Sequence, residues 1–213
     1  MSYNMWGSVK ADPQPQENLS EDSNLTHEQR MAKYSKPMVA FDRDGVLFET
    51  NGEPIRKENA IPIIDAFKAI AMIRRKGHKI AMICDQPGLS NKTITHEEVE
   101  EGNMYVIELL GNHGCPSIDC VLYNEGNNKH DIFGKPNTGM LKRMRDEFKV
   151  PYKNGYYIGD QVMDAKMAMK AGISPILVQS DISDLKKLNS FANKALKRRT
   201  KVFESLLDFA ETL

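Results

Sequence analysis

The sequence predicts an α/β fold, doubly wound around a central parallel sheet, and three observations carry that prediction. Short continuous apolar runs recur along the chain, amphipathic helical stretches alternate with them, and the runs are bounded by Gly, Asp or Asn. Runs of this kind fit strands buried on both faces. Strand–helix–strand alternation calls for parallel strands joined by right-handed crossovers. The first run is Met38–Phe41, ending at Asp42. A helical spacing of Ile63, Ile64, Phe67, Ile70, Ala71 and Arg74 follows, stopped by Lys76-Gly77. Lys79–Ile83 is the second run, ending at Cys84-Asp85, and Glu97–Leu110 forms a helix with Val99, Tyr105, Val106, Leu109 and Leu110 on one side. Ile118–Tyr123 is the third run, followed by a helix over Thr138–Phe148. Tyr156–Ile158 is the fourth, ending at Gly159-Asp160, and a helix over Met163–Ala171 closes on Gly172. Pro175–Val178 is the fifth.

Composition bounds the function. The 213 residues hold 29 Lys+Arg and 29 Asp+Glu, a formal charge of zero that argues against a chain coating nucleic acid. Hydrophobic residues make up 40%, enough for one core but unevenly spread. Residues 1–36 are polar and lack apolar periodicity, so they read as a flexible N-terminal arm bearing Trp6, while residues 37–213 read as one domain. Three cysteines, Cys84, Cys115 and Cys120, are too few for a disulfide framework and point to a reducing, cytoplasmic setting. No apolar run reaches the ~18 residues of a membrane span, and the first residues have no secretory h-region.

In open α/β sheets ligands bind beyond the carboxyl ends of the strands, so the polar residues there are the candidates. Asp42 and Asp44 flank Arg43 just past the first run. Such a pair suits a nucleophile with an acid/base partner, a hard-cation site, or a polar turn capping a strand. Asp160 and Asp164 follow the fourth run one helical turn apart, as further ligands or as an N-cap with an acidic first turn. Four converging carboxylates repel one another unless a cation is present, and Mg²⁺ is the cation suited to carboxylates and phosphate chemistry. Lys135, in a loop entering a helix, reads either as a partner for a phosphate and an attacking carboxylate or as a solvated lysine.

These residues, in this order and at these strand ends, resemble the haloacid dehalogenase-like (HAD) phosphohydrolase superfamily over about Met38 to Ser180, with a family-like final helix at Val202–Leu213. The resemblance implies a Rossmann-like HAD fold. Asp42-Arg43-Asp44-Gly45-Val46 matches the first motif, Lys135 the third, and Gly159-Asp160 through Asp164 the fourth. Asp42 is then the nucleophile forming an aspartyl-phosphate, and Asp44 the acid and later the base. Asp42, Asp160 and the Asp44 backbone carbonyl would hold Mg²⁺, with Asp164 in support. The closer likeness is to the histidinol-phosphatase and heptose-bisphosphate phosphatase branch, through Asp42-Arg43-Asp44-Gly45-Val46, Lys135-Pro136-Asn137-Thr138-Gly139-Met140-Leu141 and Cys84-Asp85-Gln86-Pro87-Gly88-Leu89. It implies substrate contacts from Arg43, Cys84, Asp85, Gln86 and Lys135, and a small phosphorylated sugar or related metabolite as substrate.

Three positions depart from the branch pattern. Cys84 stands where a hydroxyl is usual and is expected to aim its thiol at the transferred phosphoryl group, Asp85 replaces Asn, and Gly134 replaces an arginine before the lysine. The branch's zinc loop has no counterpart: Asn124–Gly134 contains His130 but no cysteine, and Cys115, Cys120 and His113 read as structural rather than zinc-binding. The 13 residues from Leu47 to Asn59, and a similarly short Tyr123–Lys135 stretch, hold no inserted domain, so the site is expected to be capless. Specificity would then reside in the loops Phe48–Arg56, Gly88–Glu100 and Asn124–Gly134. Two other functions fit: a nucleotide or nucleic-acid-end phosphatase, using the basic stretch Lys186, Lys187, Lys194, Lys197, Arg198, Arg199 and Lys201, or a HAD-like pseudoenzyme with a binding role, on the evidence of Cys84 and Asp85.

Overall fold

A computed structural model describes residues 26, 36–50, 53–115, 117–126, 131–148, 154–180, 185–195 and 200–213. The polar arm with Trp6 falls almost entirely outside these residues. The elements run β1 (Lys36–Phe41), α1 (Ile64–Arg75), β2 (His78–Asp85), α2 (Pro87–Ser90), α3 (His96–Asn112), β3 (Cys120–Asn124), α4 (Gly139–Phe148), β4 (Tyr156–Gly159), α5 (Val162–Ala171), β5 (Ser174–Val178), α6 (Leu185–Ala195), β6 (Lys201–Phe203) and α7 (Leu206–Glu211). The six strands form one sheet in the order β3-β2-β1-β4-β5-β6, and every pairing is parallel.

The period-2 alternation of the strands sorts their side chains between two cores. Val39, Phe41, Ile80, Met82, Ile158 and Val178 face a layer built from Phe67, Ile70 and Ile73 of α1, Val106 and Leu110 of α3, and Phe209 of α7. Met38, Ala40, Ala81, Ile83, Leu122 and Tyr157 face Met140, Leu141 and Met144 of α4 and Met167 and Ala168 of α5. On this second face, Leu177 of β5 packs with Leu188 of α6 and Ala165 of α5. The chain reverses its direction of winding between β1 and β4, so the crevice beyond their carboxyl ends is the topological switch point. The Asp42 amide donates to the Ile158 carbonyl at 2.9 Å, which seals that seam at the point where β1 ends.

Residues 42–63 join β1 to α1 without an inserted domain, as expected of a capless body. They double back on themselves: Phe48 bridges Pro62, Glu49 N donates to Ile61 O at 3.0 Å, and Ile63 N donates to Leu47 O at 2.8 Å. Phe48 anchors this flap, its ring 5.9 Å from Phe67 and stacked 6.0 Å from Tyr105. Helix α3 starts on a reciprocal cap, Thr95 Oγ1 accepting from Glu98 N and Glu98 accepting from Thr95 N. Glu98 also pairs with Arg56 at 2.6 Å, tying the flap to α3.

One expected element is corrected. Val202–Leu213 is not a continuous helix: Lys201–Phe203 pairs with β5 as a sixth strand, and the helix starts only at Leu206. Val202 and Phe203 suit a pleated edge, and Ser205 forms a capping box with Asp208 that sets the helix start. Of the basic stretch, Lys186 and Lys187 are exposed on α6 and Lys201 on β6, whereas residues 196–199 and the side chain of Lys194 fall outside the described residues. No helix among the described residues is long and apolar enough to cross a membrane.

The C-terminal segment closes the first core, because Phe209 is buried and meets Tyr156 and Phe203 edge-on at 5.3 and 5.6 Å. Phe209→Ala is expected to lower the unfolding free energy by about 3–5 kcal/mol. Urea titration followed by circular dichroism checks this.

Candidate active site

Asp42 follows the last residue of β1, and Asp160 the last residue of the adjacent β4. The Asp42 carboxylate accepts the Arg43 amide at Oδ1 (2.8 Å) and the Lys135 ammonium at Oδ2 (2.5 Å). Lys135, its side chain 2% exposed, also lies 2.9 Å from Asp164 Oδ1. Its Nζ sits 5.4 Å above the Tyr157 ring, whose hydroxyl donates to the Ile83 carbonyl at 2.6 Å. Asp164 accepts the Gln161 amide on its other oxygen at 3.0 Å, at the head of α5. Asp160 Oδ2 accepts the Ser180 hydroxyl at 2.8 Å, while Asp160 Oδ1 is buried without a hydrogen-bond partner.

The electrostatics follow from burial. Three carboxylates, Asp42, Asp160 and Asp164, bring oxygens within 4.8 Å of one another, against one ammonium. Burial pushes the Asp42 carboxyl up, with Lys135 pulling against it. Burial, and then the Asp164 charge, pushes Asp160 up to about 6. For Lys135, burial disfavours the ammonium, but Asp164 and Asp42 more than offset it and raise its pKa. A surplus of buried negative charge, all of it on hard oxygen ligands and with Asp160 Oδ1 unpartnered, fits a hard divalent cation such as Mg²⁺. The close approach depends on glycine. Gly45 has φ +79°, and a Cβ there would run into the Asp160 carboxylate; a Cβ at Gly159 would run into that of Asp164.

Asp44 stands apart from this acidic cluster. Its carboxylate accepts Arg43 Nε at 2.6 Å, Arg43 Nη2 at 3.4 Å and Gln86 Nε2 at 3.0 Å. Arg43, expected among the substrate contacts, is 0% exposed in the structure, and Nη2 also donates to Gln86 Oε1 at 2.8 Å and Nη1 to Asn103 Oδ1 at 3.1 Å. Gln86, likewise buried, bridges Arg43 and Asp44 rather than facing the crevice. The sequence pattern contained no sign of Asn103, which arrives from α3, or of Tyr157, which reads as a core aromatic. Ser180 does carry a signal in the sequence, being a polar residue just past the fifth strand at the ligand-binding edge of the sheet.

Cys84 and Asp85 also depart from expectation. The Cys84 thiol is fully buried with Ile94, Val99 and Tyr123, directed at the Leu122 carbonyl (3.9 Å) rather than into the crevice. Residues alternate across the sheet, so Asp85 points to the opposite face, where it braces the lysine loop. Its Oδ2 accepts the Lys135 amide at 2.9 Å and its Oδ1 accepts Asn124 Nδ2 at 3.4 Å. A carboxylate supplies both acceptors where an amide would supply one. Burial raises its pKa, with Lys135 opposing. Asn124 Nδ2 continues to Asp131 at 2.8 Å, and Asp131 accepts Phe133 N at 2.9 Å, so the loop before Lys135 is held without an arginine at 134. Cys115 and Cys120 are buried free thiols, and the His113 ring donates from Nδ1 to the helical carbonyl of Leu109 at 2.8 Å. Among the described residues the one cluster suited to a metal is Asp42, Asp160 and Asp164.

Comparison with known proteins agrees with this fold. A family model described as HAD-hydrolase-like matches residues 132–209. The D-glycero-D-manno-heptose-1,7-bisphosphate 7-phosphatase of Chlorobaculum tepidum is 30% identical over 160 residues, covering 68% of this chain and 80% of that protein. The D-glycero-beta-D-manno-heptose-1,7-bisphosphate 7-phosphatase of Neisseria meningitidis serogroup A is 25% identical over 183 residues, covering 82% and 92%. The fold matches the crystal structure of D,D-heptose 1,7-bisphosphate phosphatase from B. bronchiseptica, complexed with magnesium and phosphate, with a TM-score of 0.73, 22% identity and coverage of 83% of this chain and 97% of that one.

The cysteine environments are directly testable. Burial pushes the Cys84 and Cys120 thiols up to about 12, leaving almost no thiolate at pH 8, and Cys115 is sealed with its thiol on Ser117 O. The native protein at pH 8 is expected to react with a thiol-specific chromogenic disulfide far more slowly than the unfolded chain, which should titrate all three thiols.

Proposed function

The chain belongs to the HAD-like hydrolases and is a phosphatase, and from that premise we propose that it is a phosphomonoesterase working through an aspartyl-phosphate on Asp42, with a phosphorylated sugar as substrate. Heptose 1,7-bisphosphates are the first choice, because the relatives that match most of the chain are named for that activity. The observation that carries the mechanism is the Asp42–Lys135 contact of 2.5 Å at the switch point of the sheet, which holds a buried carboxylate beside an ammonium where a phosphate can approach.

The chemistry follows from the positions of the side chains. A carboxylate oxygen of Asp42 attacks phosphorus, forming the acyl-phosphate P–O bond as the ester P–O bond breaks. Asp44, protonated for this step, gives its proton to the departing alcohol oxygen, so that no free alkoxide is released. Water then attacks phosphorus and passes a proton to Asp44 while the Asp42–phosphorus bond breaks, returning both groups to their starting states with inorganic phosphate released. Lys135 pulls Asp42 towards its ionised form against the effect of burial, and offsets phosphoryl charge in a water-poor site. Asp85 holds the Lys135 backbone, and Arg43 with Gln86 holds Asp44. A divalent cation, Mg²⁺ by the chemistry of the donors, would be held by Asp42, Asp160 and Asp164 and the Asp44 carbonyl, and would supply positive charge against the phosphate. Cys84 would act through packing beneath the crevice.

Two outcomes test the reading. Wild type quenched in acid during turnover of p-nitrophenyl phosphate should carry one added phosphoryl group by mass spectrometry, and Asp42→Asn should carry none and release no phosphate. An unlabelled wild type with full turnover would sink the covalent route. Chelation should stop phosphate release, and Mg²⁺ should restore it better than Ca²⁺, whose larger, looser coordination misplaces the nucleophile. Activity that survives exhaustive chelation would remove the cation from the mechanism.

A further inference from the structure

The geometry points to the Gly102–Asn103 pair of α3 as the seat that positions Asp44 for proton transfer, acting through the buried guanidinium of Arg43. The inference rests on Asp44 being the proton donor proposed above.

Arg43 is 0% exposed, so each of its N–H groups must find a partner inside the protein. Nε and Nη2 reach Asp44 and Gln86, and Nη1 reaches Asn103 Oδ1 at 3.1 Å, across 60 residues of sequence. Asn103 is itself only 1% exposed, and its Nδ2 has no hydrogen-bond partner. Turning the amide over would set its NH₂ against the guanidinium, donor against donor, so the orientation that leaves Nδ2 unpaired is the one Arg43 requires. A buried unpaired amide is a standing penalty that an isosteric leucine would remove; its presence makes sense if the acceptor must be there. Gly102 adds a second, independent observation. In the middle of a helix, where alanine is the more stable choice, glycine leaves room for the guanidinium: a Cβ at Gly102 would lie 3.2 Å from Arg43 Nη1 and 3.7 Å from Ile55 O. A flat, bare patch of helix therefore meets one face of the arginine, and an amide oxygen meets its edge.

With the guanidinium fixed at that end, the edge that meets Asp44 is fixed too, along with Gln86, which touches both. Release at Asn103 lets the planar group rotate or slide, and the Asp44 carboxylate moves with it. Asn103 touches neither the acidic cluster nor the crevice in its described hydrogen bonds, so its role is positioning rather than catalysis.

Leaving-group dependence separates this role from mere support of the fold. For a phosphatase of this type kcat/KM reports the step that expels the leaving group, and p-nitrophenolate departs with little protonic help whereas phenolate needs it. The experiment measures kcat/KM with p-nitrophenyl phosphate and phenyl phosphate for wild type, Asp44→Asn, Asn103→Leu, Asn103→Asp and Gly102→Ala, with the Mg²⁺ concentration for half-activation read in parallel. Asp44→Asn should lower the phenyl to p-nitrophenyl ratio by about 10²-fold or more, within the range for a lost general acid. If its ratio is unchanged, the proton-donor reading of Asp44 fails, and this inference fails with it. With that control in place, Asn103→Leu should lower the ratio about tenfold and leave half-activation by Mg²⁺ where it was. Asn103→Asp, which keeps an acceptor for Nη1, should recover most of the ratio, and Gly102→Ala should lower it by a smaller factor of about three. Equal losses on both substrates in Asn103→Leu, or no loss, would overturn the positioning role while leaving Asp44 as donor. If Asn103→Leu does not fold, Gly102→Ala decides, and an unchanged ratio there overturns the proposal.

Discussion

Lys135 carries its charge to a place where 2% of its side chain meets solvent, and it is stable there only because Asp42 and Asp164 stand 2.5 and 2.9 Å away. Removing both partners would leave a buried charge uncompensated, which is among the most destabilising changes a protein can suffer. The three carboxylates of the cluster in turn are two positive charges short. The fold answers part of this with directed dipoles: the Arg43 and Gln161 amides and the Ser180 hydroxyl each donate to one carboxylate oxygen. One oxygen, Asp160 Oδ1, is left over, and a cation is the group whose chemistry fits it. Much of the surrounding architecture serves this arrangement. Two glycines allow backbone to pass against carboxylates, Tyr157 walls one side of the ammonium, and the Asp85–Asn124–Asp131 chain of contacts holds the loop on which the lysine rides.

Two carboxylates two positions apart have thus been given opposite surroundings. Asp42 lies in an excess of negative charge with a lysine at hand, whereas Asp44 rests on a guanidinium and an amide and keeps 28% of its side chain exposed. A group that must shuttle a proton benefits from contact with solvent, and one that must attack phosphorus benefits from its absence. The alternation of residues past the end of β1, helped by the left-handed turn at Gly45, is enough to produce the difference.

Much of this was legible in the sequence, and the rest was hidden for identifiable reasons. Five strands and four helices lie within a few residues of their expected positions, because buried parallel strands and amphipathic helices write their periods over long enough stretches to read. β6 was missed because Lys201-Val202-Phe203 is too short to display a period and sits where helical spacing can be extended backward from Leu206. Asp42, Asp160 and Asp164, whose oxygens the structure brings together, were legible because strand ends gather polar residues, and Lys135 was legible through its likeness to the family's third motif. The burial of Arg43 was not legible: a cation in such a motif reads as a substrate contact, and nothing local reports the helix sixty residues away that covers it. The hydrogen bond of Asp85 was hidden for the same reason, since the backbone amide its side chain accepts lies in a loop fifty residues later.

The seam between β1 and β4 has a consequence for how the molecule comes into being. The nucleophile candidate leaves the ribosome early, and its amide finds the Ile158 carbonyl only after more than a hundred further residues have been made. The strands β1, β2 and β3 pair with partners near in sequence, whereas the acidic cluster also needs Lys135, Asp160, Asp164 and Ser180 from the later half. Loop-closure entropy makes such distant pairings the slow ones. The crevice therefore assembles at the close of folding rather than along the way, and a partly made chain cannot display its acidic cluster to passing metal ions or phosphates.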